Sequence, residues 1–258
     1  MILTLDIGNT NIVMAGVTDG KADFIFRLAA SVSRTADEYS VLLSQMARQI
    51  GCDLHGADGA IISSVVPPLT SVIKDAVTAA SGLKPLVVGP GVRTGLNIRI
   101  DDPSELGSDF VAAAVAAIGS YPLPCVTVDM GTATAIGVID KNGSYIGGVI
   151  CPGLMVSQEA LASGASQLWH VSPDAPGRVV GRNTKECMQS GLVHGAASML
   201  DGLIDRIEDE LGCGVTVVAT GDWADNVVPH CRRRGIAVDH ELVTRGLWLI
   251  YNKNRKQN

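Results

Sequence analysis

The chain has 258 residues, with 26 acidic against 20 basic side chains, 47% hydrophobic and 18% charged residues. That balance excludes a fibre or a disordered tail, and at roughly 100–200 residues per domain the length suits one large domain or two modest ones. A net charge of −6 argues against nucleic acid or an anionic membrane surface as the main partner.

Aromatic residues make up 4% while Gly occurs 29 times, so the core must be built from Val, Ile, Leu and Ala between many tight turns, as in an α/β protein. The six Cys (52, 125, 151, 187, 213, 231) form no C-x-x-C pair and read as reduced, buried thiols. The chain opens Met-Ile-Leu-Thr-Leu-Asp without a basic leader, and no apolar run approaches the roughly 20 residues of a membrane span. A cytoplasmic protein is expected.

Taken in chain order, Leu3-Thr-Leu-Asp6-Ile-Gly8-Asn-Thr10 followed by an apolar run reappears as Val126-Thr-Val-Asp129-Met-Gly131-Thr-Ala-Thr134 with a second apolar run, at an offset of 123 residues. Each copy continues through a Gly-bearing turn into a third strand, Ala22–Arg27 and Ser144–Ile150. Two similar halves are therefore expected, 1–118 and 119–258. Between the copies, helical spacing covers Ala36–Ile50 and Pro68–Ala80, and buried strands are expected at Gly59–Ser64 and Pro85–Val88. Asp102-Pro103-Ser104-Glu105 reads as a helix start, opening one helix through the Ala-rich segment to Ile118. In the second half, helices are expected at Ser157–Ala165, Thr184–Leu211 and Glu241–Lys253, a strand at Val215–Ala219, and a loop at Trp169–Arg182. Arg232-Arg233-Arg234 reads as a solvated helix end.

Asp6 and Asp129 each end an apolar strand with Gly two positions on, which puts a carboxylate beside backbone N–H groups suited to phosphate oxygens. Gly8 and Gly131 allow close approach, while Asn9, Thr10, Thr132 and Thr134 can donate hydrogen bonds. Asp, Gly and Asn are also common in ordinary hairpin turns. Two copies, joined by a third turn at Thr220-Gly221-Asp222, favour a duplicated nucleotide fold. No G-x-x-x-x-G-K-[ST] or G-x-G-x-x-G occurs.

The motifs D-I-G-N-T-N (6–11), R-T-A-D-E-Y (34–39), I-I-S-S-V-V-P (61–67), T-G-L-N-I-R (94–99), G-S-D (107–109), D-M-G-T-A-T (129–134), G-G-V-I-C-P-G (147–153), N-T-K-E-C-M-Q-S-G (183–191) and T-G-D (220–222) together resemble the type III pantothenate kinases. That family lies in the superfamily of acetate kinase, sugar kinases and actin. The resemblance implies two similar actin-like, ribonuclease H-like halves around a nucleotide cleft. It also implies ATP-dependent phosphorylation of the primary hydroxyl of pantothenate to 4'-phosphopantothenate, the first step of coenzyme A biosynthesis. The implied cofactors are Mg²⁺ and a monovalent cation, K⁺ or NH₄⁺, and the implied assembly is a homodimer.

By the same resemblance Asp6, Ile7, Gly8, Asn9, Thr10, Asn11, Ile12 and Val13 form the first ATP phosphate loop, with Asp6 on Mg²⁺. Gly131, Thr132, Thr134 and Gly221 join them at ATP, and Asp129 holds the monovalent cation. Gly107, Ser108, Asp109 and Phe110 form the acceptor segment, in which Asp109 is the proton acceptor, and Thr184 reaches the acceptor from the neighbouring subunit. An N-cap is the plainer reading of Thr184, and a helix-start residue that of Asp109. Three positions depart from the family pattern: G-x-D-R ends in Phe110, T-A-K-L-P reads Ala165-Ser-Gln-Leu168-Trp169, and T-G-G reads T-G-D. An apolar ring cannot make the charge-assisted contact of the family's Arg with an acceptor carboxylate. This opens two alternatives, a kinase of another small alcohol and a catalytically silent binding homologue.

Overall fold

The computed structural model describes residues 1–255, which cluster into two compact units. The first holds residues 1–97, 101–119 and the closing segment from Glu241, and the second holds 98–100 and 120–240. The division at 118/119 placed the closing helix in the second half, whereas the structure clusters it with the first.

In the first unit β1 (Ile2–Ile7), β2 (Asn11–Thr18) and β3 (Lys21–Ala29) form an antiparallel meander. After α1 (Ala36–Gln49) the chain returns as β4 (Gly59–Ser64), parallel to β1, and after α2 (Pro67–Ser81) as β5 (Leu86–Val87), parallel to β4. The sheet order is β3-β2-β1-β4-β5. The central strands β1 and β4 are buried along almost their whole length, which is why they read as continuous apolar runs rather than alternating ones. Leu3, Leu5, Ile7, Ile12 and Met14 pack with Leu43, Leu69 and Ile73 of α1 and α2 into one core. A capping box starts α1, in which Thr35 Oγ1 accepts from Glu38 N–H and the Glu38 carboxylate accepts from Thr35 N–H at 2.7 Å.

A short strand β6 (Asn97–Ile98) and helix α3 (Ser108–Ser120) follow. The expected single helix from Asp102 is in fact two pieces. Asp102 accepts from Ser104 N–H and caps only a 3₁₀ turn at Pro103–Glu105; Leu106 is extended, and α3 starts afresh at Ser108. Asp109 therefore lies in the first turn of its helix instead of the second.

The second unit repeats the plan with β7 (Cys125–Met130), β8 (Ala133–Ile139), β9 (Ser144–Pro152), α4 (Leu154–Gly164), α5 (Thr184–Leu211), β10 (Thr216–Thr220), α6 (Ala224–Val227) and β11 (Ala237–Val238). Its sheet order is β11-β10-β7-β8-β9 with β6 added at the edge, which is the first order read in reverse. The hairpins are not identical. Asp6 pairs with Val13, seven residues on, and Asp129 pairs with Ala135, six residues on, so the second turn is one residue tighter. The closing helix α7 (Leu242–Asn254) packs on the first unit, where Gly246 seats against the backbone of Ala112 with no room for a Cβ.

All six cysteines are unpaired. Burial pushes the thiols of Cys125 and Cys231 up to about 11 and about 12, while Cys187 and Cys213 are exposed rather than buried as expected. The Arg232–Arg234 run is not a helix end. Its residues lie in a bend, and Arg233 hydrogen-bonds the carboxylates of Asp205 and Glu208 on α5 while Asp201 accepts from the N–H groups of Arg232 and Arg233. No helix among the described residues is long and apolar enough to cross a membrane.

Candidate active site

The site residues fall into one group in each unit. In the first, Asp6 sits at the end of β1, paired with Ser63 of the parallel strand β4. The following turn is closed by Gly8 N–H donating to Asn11 O at 2.9 Å, with Asn9 and Thr10 exposed between them. Ile7 and Ile12 are fully buried, so in this loop they contribute backbone and anchorage, and the polar surface comes from Gly8 to Asn11.

The acceptor segment is tied to the same strand end by hydroxyl groups. Ser108, the first residue of α3, shares a 2.9 Å hydrogen bond with Ser63 Oγ and accepts from Ser64 N–H at 2.9 Å. Thr70 on α2 donates to Ser64 Oγ at 2.8 Å and extends the network. The sequence reading missed Ser63 and Ser64, although the Ser-Ser pair ending a buried strand was the available signal. These bonds fix the start of α3, and with it Asp109, at the end of β4.

The Asp109 carboxylate folds back over Gly107, where a Cβ would overlap its Oδ1 atom. Burial raises its pKa above the ordinary carboxylate range, against the opposing pull of two backbone N–H donors, those of Phe110 (2.8 Å) and of Asp109 itself. A raised carboxyl at a helix start is a stronger base than an exposed Asp, so a helix-start position and a base role are compatible.

In the second unit Asp129 ends β7 and pairs with Thr220 of the parallel strand β10, as Asp6 pairs with Ser63. Gly221 follows with φ +91°, and a Cβ there would stand 2.5 Å from Asp129 Oδ1 and 2.6 Å from Met130 N. The T-G-D turn thus closes directly on the Asp129 carboxylate, and Trp223 N–H donates to Met130 O at 3.1 Å to hold it there. Gly131 N–H closes the hairpin turn on Ala133 O at 3.0 Å. Gly153, also missed as a site residue, donates its N–H to Thr132 O at 3.2 Å, and any Cβ on it would overlap the carbonyls of Gly131 and Thr132. Thr132 is exposed, whereas Thr134 is 3% exposed and paired with Met130 and Cys151, which aims it away from solvent.

Thr184 is exposed in the first turn of α5, and the N-cap is Asn183, whose Oδ1 accepts from Glu186 N–H at 2.9 Å. Its hydroxyl is therefore not spent on capping.

Two sheets of one strand order, each ending its first strand in an Asp beside a glycine turn, define the actin-like ATPase fold. A solved structure of the activator of 2-hydroxyisocaproyl-CoA dehydratase from Clostridium difficile with bound ADPNP has that fold, with a TM-score of 0.57, 12% identity and coverage of 100% of this chain and 98% of that one. The chain belongs to the type III pantothenate kinase family, whose sequence model matches residues 2–206. Among its relatives, the type III pantothenate kinase of Moorella thermoacetica is 40% identical over 256 residues, covering 98% of this chain and 100% of the relative. That of Geobacter sulfurreducens is 39% identical over 257 residues, covering 99% and 100%.

Proposed function

We propose that the chain transfers the γ-phosphoryl group of ATP to the primary hydroxyl of pantothenate, giving 4'-phosphopantothenate and ADP at the start of coenzyme A biosynthesis. The observation that carries this reading is the Asp109 carboxyl, half-buried, raised in pKa and pinned by Ser108 to the strand end beside Asp6. Full-length relatives at about 40% identity carry the pantothenate kinase name, which favours pantothenate over another alcohol or a silent homologue.

In this reading Asp6, Gly8 to Asn11, Gly131, Thr132 and Gly221 receive the nucleotide, with the exposed side chains of Asn9, Thr10 and Thr132 meeting phosphate oxygens. Buried Thr134, Ile7 and Ile12 shape the turns rather than touch ATP. Asp109 takes the hydroxyl proton as the acceptor oxygen bonds to the γ-phosphorus and the bond to the β–γ bridging oxygen breaks, releasing ADP. No group of three or more His, Cys, Asp or Glu capable of holding a metal occurs among the described residues. A single carboxylate completed by phosphate oxygens and water is the usual Mg²⁺ arrangement, and Asp6 fits it. Asp129, one carboxylate next to the carbonyl-lined turn that Gly153 approaches, fits a monovalent cation, K⁺ or NH₄⁺. Bound there, the two ions supply neutralisation of phosphate charge.

A coupled assay for ADP with pantothenate tests the reading. ADP release only with a different small alcohol would replace the acceptor, and none with any alcohol would leave a silent protein. Thr184 is read as reaching the acceptor of a neighbouring subunit in a cytoplasmic homodimer, so light scattering should give twice the chain mass. An active monomer would overturn the shared site.

Phe110 stands where the family carries Arg. With pantothenate as acceptor, Phe110→Arg should lower the pantothenate KM by about 10-fold, the low end for a charge-assisted hydrogen bond, and leave the ATP KM within twofold. A KM that is unchanged or higher would show that other residues already bind the carboxylate.

A further inference from the structure

The R-T-A-D-E-Y motif (34–39) is not used by the mechanism above, yet its last residue is fully buried and makes three polar contacts through one oxygen. Tyr39 Oη accepts from Ser31 N–H at 2.8 Å and offers its proton to the carbonyls of Ser31 (3.1 Å) and Ala29 (3.3 Å). Its ring belongs to the core of the first unit, and the Arg34 guanidinium lies 5.8 Å from the ring centroid.

The backbone that Tyr39 holds is the end of β3. That strand is the edge of its sheet, so its outer polar groups have no further strand to pair with. Residues 29–31 are held by β2 and, at Ser31 O, by Arg34 N–H at 3.2 Å, and the buried Tyr39 hydroxyl adds the bonds to Ser31 N–H and Ala29 O. The same segment supports the first phosphate turn. Ala29 pairs with Asn11, and Ala30 N–H donates to Thr10 O at 2.8 Å. The rest of the motif serves the same end, since the Thr35–Glu38 capping box fixes the start of α1 and thereby the depth at which Tyr39 enters the core.

We propose that Tyr39 is a positioning residue for ATP, its hydroxyl fixing the end of β3 on which the Gly8–Asn11 turn rests. The proposal rests on the reading of that turn as the first phosphate loop. Donors on a turn held in one conformation bind phosphate without first being ordered, so loosening the support weakens nucleotide binding while the chemistry of bound ATP is unaffected.

Tyr39→Phe deletes the hydroxyl and keeps the core ring. Steady-state kinetics of the full chain should show an ATP KM raised roughly 5- to 30-fold, the size of one or two lost hydrogen bonds, with kcat and the pantothenate KM within twofold. An equal rise in both KM values, or a fall in kcat alone, would indicate general loosening and overturn the proposal. Asp6→Asn serves as the reference. If it raises the ATP KM while Tyr39→Phe leaves it within twofold, Tyr39 has no positioning role and the phosphate-loop reading stands; if neither variant moves it, that reading falls and the proposal with it. Should Tyr39→Phe fail to fold, hydrogen exchange on the unmodified protein gives the answer. The Ala30 amide should exchange slowly and slow further with ADP bound, and exchange at the rate of an open loop would overturn the proposal.

Discussion

Replacing Asp109 by Asn should lower turnover by about 10²–10⁴ while leaving ATP binding almost intact and raising stability at neutral pH. Loss of turnover follows from the amide's inability to take the acceptor proton. The gain in stability follows from the sign of the pKa shift. Burial raises the folded-state pKa of Asp109 above its unfolded value, so the fold prefers the protonated form. Stability linked to this group is complete below the unfolded carboxylate pKa, falls as pH rises through the raised folded value, and stays reduced at neutral pH. A neutral Asn escapes that loss and keeps an oxygen for the Phe110 N–H. The same shift predicts that kcat of the unmodified enzyme falls on the acid side with a limb above the ordinary carboxylate range, where the base is protonated. Rapid-quench turnover, nucleotide titration and thermal melting of the two proteins check turnover, ATP binding and stability, and the pH profile of kcat checks the acid limb. Near-normal turnover in Asp109→Asn would remove Asp109 as the base. A lower melting temperature at pH 7 would show that the charge is held by its two N–H donors more strongly than burial opposes it.

Two of the places where the sequence and the structure part lie at the candidate site. The helix expected from Asp102 through Ile118 has a sound local start, with Pro at the first position and Glu three residues after the cap. It breaks because Gly107 must lie beneath the Asp109 carboxylate and Ser108 must reach the end of β4. Helix α4 starts three residues before its expected Ser157 because its cap is Gly153, which offers no side-chain cap signal. A capping Ser or Asp there would overlap the carbonyls of Gly131 and Thr132. In helix α5 and strand β4 the local signals run unbroken to the ends, and both match their expected bounds of Thr184–Leu211 and Gly59–Ser64. The long amphipathic run with its Asn183 cap, and the apolar run of a buried parallel strand, are local signals that tertiary structure had no cause to override.

The internal repeat was legible as an offset of 123 residues, but the difference in use between the copies was not. In the first unit β4 ends in Ser63 and Ser64, whose hydroxyl and N–H capture the start of the helix bearing Asp109. In the second the corresponding strand ends at Thr220 with Gly221 next, and the missing side chain lets the turn close on Asp129. One duplicated scaffold thus ties a helix start to the strand beside the first carboxylate and sets a bare glycine against the second. Such contacts link residues more than forty positions apart, beyond the reach of pattern spacing.

That glycine supplies the second large expectation. Gly221→Ala should cost about 2–5 kcal/mol, of which roughly 1–2 come from a Cβ at φ +91° and the remainder from crowding against Asp129 Oδ1 and the Met130 backbone. Gly235, at φ +83° in the same unit, has nothing within 4 Å of the place a Cβ would take, so Gly235→Ala bears the backbone strain alone, about 1–2 kcal/mol. At roughly 2–4 °C per kcal/mol, Gly221→Ala should melt about 4–20 °C lower than the unmodified protein and Gly235→Ala about 2–8 °C lower. Activity separates them more sharply. Displacing the Asp129 carboxylate or the turn after it by a fraction of an ångström to 1 Å should reduce kcat/KM for ATP by at least 10-fold and as much as about 10², measured well below either melting point, while Gly235→Ala stays within twofold. If the two variants lose ATP kinetics equally, or neither does, the close fit of the T-G-D turn to Asp129 is packing alone and the second carboxylate has no part in handling the nucleotide.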